Sequence, residues 1–244
     1  MVHCILLRTH QLAEGTEFEA VDANGVPCEW ITATCKATSA ITDACYFHVH
    51  GGGYYRGSSR VAAPVCSHIA GLAGMKCLSV NYRTAPEHKW PIGVDDTYTA
   101  YSWLVSDEGG NIDPSKVICG GDSAGGGLIL ALLLKLRDTD PSKLPAGAVP
   151  LSPWTDLTQS SETFITNANS GVSNCDKDYL DHWSKEYLGD ADPHHPYASP
   201  MFGELHGLPP MLIQVGGGET MLDDAALFAL KAARARCQVR CSLC

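Results

Sequence analysis

The stretch Gly120-Gly121-Asp122-Ser123-Ala124-Gly125-Gly126-Gly127 sets a serine between glycines two residues away on either side. A hydroxyl is a weak nucleophile until a neighbouring base takes its proton, so the chemistry on offer is covalent acyl transfer that depends on a partner. KVICGGD (116–122) reads as a strand running into the serine, and AGGGLILALLLKLRD (124–138) as the helix leaving it. So sharp a turn strains the serine backbone, lifts the side chain above the sheet and admits only small neighbours. The following helix points its N-terminal N–H groups and positive dipole end at the place where negative charge would develop.

A second glycine cluster, His50-Gly51-Gly52-Gly53-Tyr54, follows the short apolar run ACYFHVH (44–50). Glycines there let backbone N–H groups approach a substrate oxygen closely. With the amide of Ala124 they would form an oxyanion hole, each donor worth roughly 2.7–4 kcal/mol of transition-state stabilisation. The plain alternative is a flexible glycine turn. Two further constellations read as structure: Cys237, Cys241 and Cys244 stand at C-x3-C-x2-C spacing with too little chain around them to enclose a cluster. His48 and His50 alternate on a strand, so both face one way, with no third metal ligand nearby.

The elements that must position these residues alternate. EFEAVDANGVPCEWITATC (17–35) reads as two strands about the hairpin signal Asn24-Gly25. Helices are expected over 61–75, 94–107 and 223–237, and strands over 76–83, 146–154 and 209–219, with a last strand starting at CQVRCSL. Alternating strands and helices predict a mostly parallel sheet covered on both faces, with active loops at the strands' carboxyl ends. The segment 155–208 breaks the alternation, carries the helix-like DKDYLDHWSKEYL (176–188), and reads as an insertion covering the site.

With 244 residues, 45% hydrophobic and 18% charged, the chain is long enough for one large domain with a sizeable core. A net charge of −10 and the lack of any basic run argue against a nucleic-acid partner. Eleven scattered cysteines, no signal-peptide pattern and no apolar run of membrane-span length predict a cytoplasmic protein with reduced thiols.

HGGGY (50–54), NYRTAPEHKWP (81–91), GGDSAGGG (120–127), LSPWTDL (151–157), DPHHPYASP (192–200) and LPPMLIQVGGGETMLDDA (208–225) together resemble the hormone-sensitive lipase family of α/β-hydrolases, the bacterial-type carboxylesterases. The resemblance spans nearly the whole chain in the family's order. It implies one α/β-hydrolase domain over 1–244, with an eight-stranded, mostly parallel sheet, a remnant of an N-terminal cap over 1–16 and a cap insertion over 155–208. It further implies hydrolysis of short to medium acyl esters without metal or organic cofactor. Carried over by position, Ser123 matches the nucleophile, Gly52, Gly53 and Ala124 the oxyanion donors, and His50 and Gly51 the residues shaping that loop. Glu219 matches the triad acid, standing where many relatives have aspartate. Asp223 and Asp224 compete for that role, but at a helix start they read as first-turn residues favoured by the dipole. Asp122, Trp154, Asp156 and Tyr197, with Glu87, His88 and Trp90, read as framework.

The family's chain order is serine, acid, histidine. All ten histidines here lie upstream of Glu219, the last being His206. The resemblance therefore implies a chain truncated before its catalytic histidine, with an incomplete last strand, no last helix and impaired turnover. His194 or His195 could reach the serine only by swinging in from the cap. A loss of this kind leaves two readings: an esterase with a crippled triad, or a non-catalytic small-molecule binding protein on the same fold, as in plant gibberellin receptors. Those receptors depart from the third glycine of the loop, which is intact here as Gly53. An unpaired sheet edge near the C-terminal end would favour a homo-oligomer.

Overall fold

The computed structural model describes residues 11–36, 40–170 and 177–244. Strands β1 (Glu17–Ala23) and β2 (Val26–Thr32) pair antiparallel about Asn24 and Gly25, whose φ angles of 56° and 88° suit a two-residue hairpin turn. Asp22 Oδ1 accepts the Gly25 N–H at 2.6 Å and closes the turn. Strands β3 (Cys45–Val49), β4 (Lys76–Val80), β5 (Val117–Asp122), β6 (Gly147–Leu151), β7 (Met211–Val215) and β8 (Val239–Leu243) complete one sheet, in the order β1-β2-β4-β3-β5-β6-β7-β8. From β4 onwards every pairing is parallel, while β2 meets β4 antiparallel. All five residues of β3 are buried, as expected of a central strand covered on both faces.

Helix α1 (Ser59–Ala73) covers the β2–β4 end of one face, where Ile31, Tyr46, Ala62, Ala63, Cys66, Ala70 and Cys77 form a small core. The opposite face carries α2 (Ile92–Leu104), α3 (Ala124–Thr139) and α6 (Leu222–Arg234) over the main core, which includes Phe47, Cys119, Leu128 and Ile213. Helix α3 buries twelve of its sixteen residues, so it is the central helix of that layer rather than an amphipathic surface one.

The strand read at 146–154 ends at Leu151, because Ser152 turns out of the sheet with a φ of 44°. Segment 155–208 holds α4 (Thr163–Thr166) and α5 (Lys177–Leu188), and it lies over the carboxyl ends of the strands. The N-terminal part of the cap expected over 1–16 falls largely outside the described residues. Strand β8 pairs with β7 along all five of its residues. Among the described residues no helix is long and apolar enough to cross a membrane.

Candidate active site

Ser123 sits between β5 and α3 with φ 52° and ψ −120°, a left-handed backbone that non-glycine residues rarely adopt. Three hydrogen bonds hold it there. Its N–H donates to Leu151 O at 2.9 Å, and its carbonyl accepts from Gly127 N and Trp154 N, each at 3.0 Å. The flanking glycines answer to close packing against β3. A Cβ on Gly121 would come within 2.6 Å of both Val49 O and Gly125 O, and one on Gly125 would collide with the carbonyls of Val49 and His50. Val49 pairs with Gly121 in the sheet, so the strand that feeds the glycine loop is bolted beside the serine turn.

In the loop itself Gly52 and Gly53 have φ of 120° and 65°. Gly52 O accepts from the N–H groups of Tyr55 and Arg56 at 3.1 Å each, and Asp122 Oδ1 accepts from Gly51 N at 3.0 Å. Asp122 thus ties the loop to the end of β5. Among the described residues no acceptor takes the N–H of Gly52, Gly53 or Ala124. Three donors at the joined ends of β3 and β5 are left for a ligand. His50 is 2% exposed, stacks on Tyr82 at 4.3 Å, and holds its Nδ1 2.8 Å from Gly51 O. Burial lowers its pKa, so it packs as a neutral ring that shapes the loop.

Glu219 lies in the loop after β7. Its Oε1 accepts from Gly216 N at 3.0 Å, and Asn167 Nδ2 donates to its carbonyl at 2.9 Å. The two competing aspartates do lie in the first turn of α6. Asp223 Oδ2 accepts from Thr163 N at 3.2 Å. Asp224 is fully buried and accepts from Thr155 N, Asp156 N and Ser161 Oγ at 2.8, 3.0 and 2.9 Å. Burial pushes its pKa up to about 7 despite those donors. Both aspartates clamp segment 155–163 to α6, which leaves Glu219 as the carboxylate held by the strand-end loop.

Among the described residues no histidine hydrogen-bonds Ser123. His194 Nδ1 meets Asp192 Oδ1 at 3.2 Å, and His195 Nδ1 accepts from Tyr197 N at 3.1 Å while its ring packs on Trp90. His48 is 1% exposed and, among the described residues, neither of its ring nitrogens is hydrogen-bonded; its Nε2 lies 3.8 Å from Asp122 Oδ1. It lines a 280 Å³ cavity behind the glycine loop with His50, Gly51, Gly52 and Asp122. Among the described residues nothing hydrogen-bonds Ser123 Oγ, and no group of three or more His, Cys, Asp or Glu could hold a metal ion.

Sequence reasoning missed the aromatic residues that hold the loop from above. Tyr54 stacks face to face on Tyr187 of α5, and Trp183, one turn earlier, lies against Gly53. The signal was available: Trp183 and Tyr187 stand four apart in DKDYLDHWSKEYL, on one helix face.

A family profile described as the alpha/beta hydrolase fold matches residues 46–244. The chain is 36% identical over 220 residues to an esterase of Acinetobacter venetianus, covering 90% of this chain and 69% of that protein. It is 39% identical over 188 residues to an acetyl-hydrolase of Streptomyces hygroscopicus, covering 77% of this chain and 61% of that one. The chain thus spans about two thirds of the length of these relatives. A crystal structure of an esterase from the bacterial hormone-sensitive lipase family superposes with a TM-score of 0.88 at 41% identity, over 99% of this chain and 78% of that one. The chain belongs to the hormone-sensitive lipase family of α/β-hydrolases.

Proposed function

We propose that the chain carries the nucleophile, oxyanion hole and acid of a serine carboxylic-ester hydrolase acting on short to medium acyl esters. One observation supports this most: a serine held at positive φ beside three unengaged N–H groups, those of Gly52, Gly53 and Ala124. In this reading Ser123 Oγ attacks the ester carbonyl carbon, and the three amides stabilise the tetrahedral oxyanion. The alcohol leaves with the proton that Ser123 Oγ gives up, a Ser123 acyl ester remains, and water hydrolyses it to the free acid and the restored serine hydroxyl. Glu219 is the acid that orients the base, while His50 and Gly51 shape the oxyanion loop.

Among the described residues no imidazole hydrogen-bonds Ser123 Oγ. With no imidazole on Ser123 Oγ, the oxyanion hole and binding site alone are expected to leave roughly 10³–10⁴-fold acceleration over water. No step draws on a metal or organic cofactor. The buried free thiols Cys28, Cys45, Cys66, Cys77 and Cys119 support placing the protein in the reducing cytoplasm.

Hydrolysis of p-nitrophenyl esters from acetate to decanoate, by the chain and by Ser123→Ala, tests this reading. A rate that disappears with Ser123 and falls for the longer acyl groups is expected. Equal rates in both proteins overturn it. Thermal stabilisation by ester without Ser123-dependent turnover would favour the small-molecule binding protein instead.

A further inference from the structure

Resting on the reading of Ser123 and the glycine amides above, we propose that Tyr187 of α5 is a positioning residue. It closes an aromatic column, Tyr187–Tyr54–Trp154, that sets the spacing between the nucleophile and the oxyanion donors. Tyr54 directly follows Gly53. Its ring lies 4.0 Å from that of Tyr187, with 8° between the planes, and 5.6 Å from that of Trp154. All three are buried, at 1%, 2% and 0% exposure for Tyr54, Tyr187 and Trp154. The far end of the column reaches the nucleophile, because the Trp154 N–H donates to the Ser123 carbonyl at 3.0 Å. The near end is fixed by Trp90 N, which donates to the Tyr187 carbonyl at 2.7 Å. The backbone of Tyr54 is itself held by Ala85 N, at 2.9 Å from its carbonyl.

Trp183 adds a second grip from the same helix face. A Cβ on Gly53 would lie 2.5 Å from its Cε3, and Arg56 Cζ sits 5.1 Å above its ring. The oxyanion loop is therefore pressed between α5 and the core, not hung from β3 alone. Its donors work only within a few tenths of an ångström of the oxyanion, so whatever fixes the loop's height acts on the transition state more than on substrate binding. Among the described residues the Tyr187 hydroxyl has no hydrogen-bond partner, which leaves ring stacking as the working contact.

Amide hydrogen exchange on the full chain reads the column without requiring turnover. In Tyr187→Ala the Tyr55 and Arg56 amides, both bonded to Gly52 O, should exchange at least about tenfold faster, while those of β5 and β6 keep their protection. Turnover of p-nitrophenyl butyrate should fall about ten- to a hundredfold in kcat with KM within about threefold, the mark of a misplaced transition-state contact. Tyr187→Phe should match the parent in both readouts. Should Tyr187→Ala also lose the β5 amides, Tyr187→Leu, which removes the ring but leaves a smaller cavity than alanine, is the deciding variant with the same expectations. Unchanged Tyr55 and Arg56 exchange overturns the proposal, as does a Phe variant as damaged as the Ala one. A parent without Ser123-dependent turnover counts against the proposed function alone, and exchange still decides the column.

Discussion

At the scale of single residues, the backbone of Ser123 and the ring of His48 each hold an unfavourable state that the surroundings impose. Positive φ at a serine costs on the order of 1–3 kcal/mol, and glycine adopts the same backbone without that strain. Ser123→Gly is therefore expected to abolish ester hydrolysis while raising stability by about 1 kcal/mol, measured by urea unfolding. His48 offers a test through pH. Burial, with the neighbouring His50, lowers its pKa from 6.5 to about 3. A folded-state pKa below the unfolded one contributes stability that is present above pH 6.5 and lost as pH falls towards 3. Between pH 8 and pH 5 this residue should withdraw about 2 kcal/mol. His48→Phe should remove that part of the acid sensitivity, and identical pH dependence in both proteins would refute the account of His48.

Among elements, β3, β5 and their loops were readable before any fold was known. The glycines punctuate them, the apolar runs have strand length, and Ser123 stands at a strand-to-helix junction. The Asn24-Gly25 hairpin was equally plain, because those two residue types tolerate the φ that its turn demands. What joins distant elements was not legible. Local periodicity contains nothing of Asp122 reaching Gly51, or of Asp224 reaching Thr155 and Ser161, contacts 71, 69 and 63 residues apart. Asp224 read as a first-turn residue, and it is one, but its larger task is to satisfy buried donors from segment 155–161. Asp224→Ala would orphan those donors and should cost about 3 kcal/mol or more, seen as a lower unfolding midpoint. A change below about 1 kcal/mol would mean the clamp is not needed.

On the scale of the whole molecule, the two faces of the sheet are covered unequally. Helices α2, α3 and α6 span one face, whereas α1 reaches only the β2–β4 end of the other. Ile118, Val149 and Leu212 line an open 400 Å³ groove on the described surface, all three only partly buried. Leu212→Glu is expected to lower binding of a hydrophobic dye while shifting stability by no more than about 0.5 kcal/mol, as for a surface site.

The proposed function rests on one arrangement, a serine at positive φ near the amides of Gly52, Gly53 and Ala124, and the signature it predicts is a covalent acyl-serine. The most direct measurement is mass spectrometry of the chain after incubation with p-nitrophenyl butyrate, followed by peptide mapping. A butyryl adduct on the peptide containing Ser123, absent from Ser123→Ala, is the predicted result. Ester binding that leaves Ser123 unmodified, or an adduct that persists in Ser123→Ala, would contradict the account.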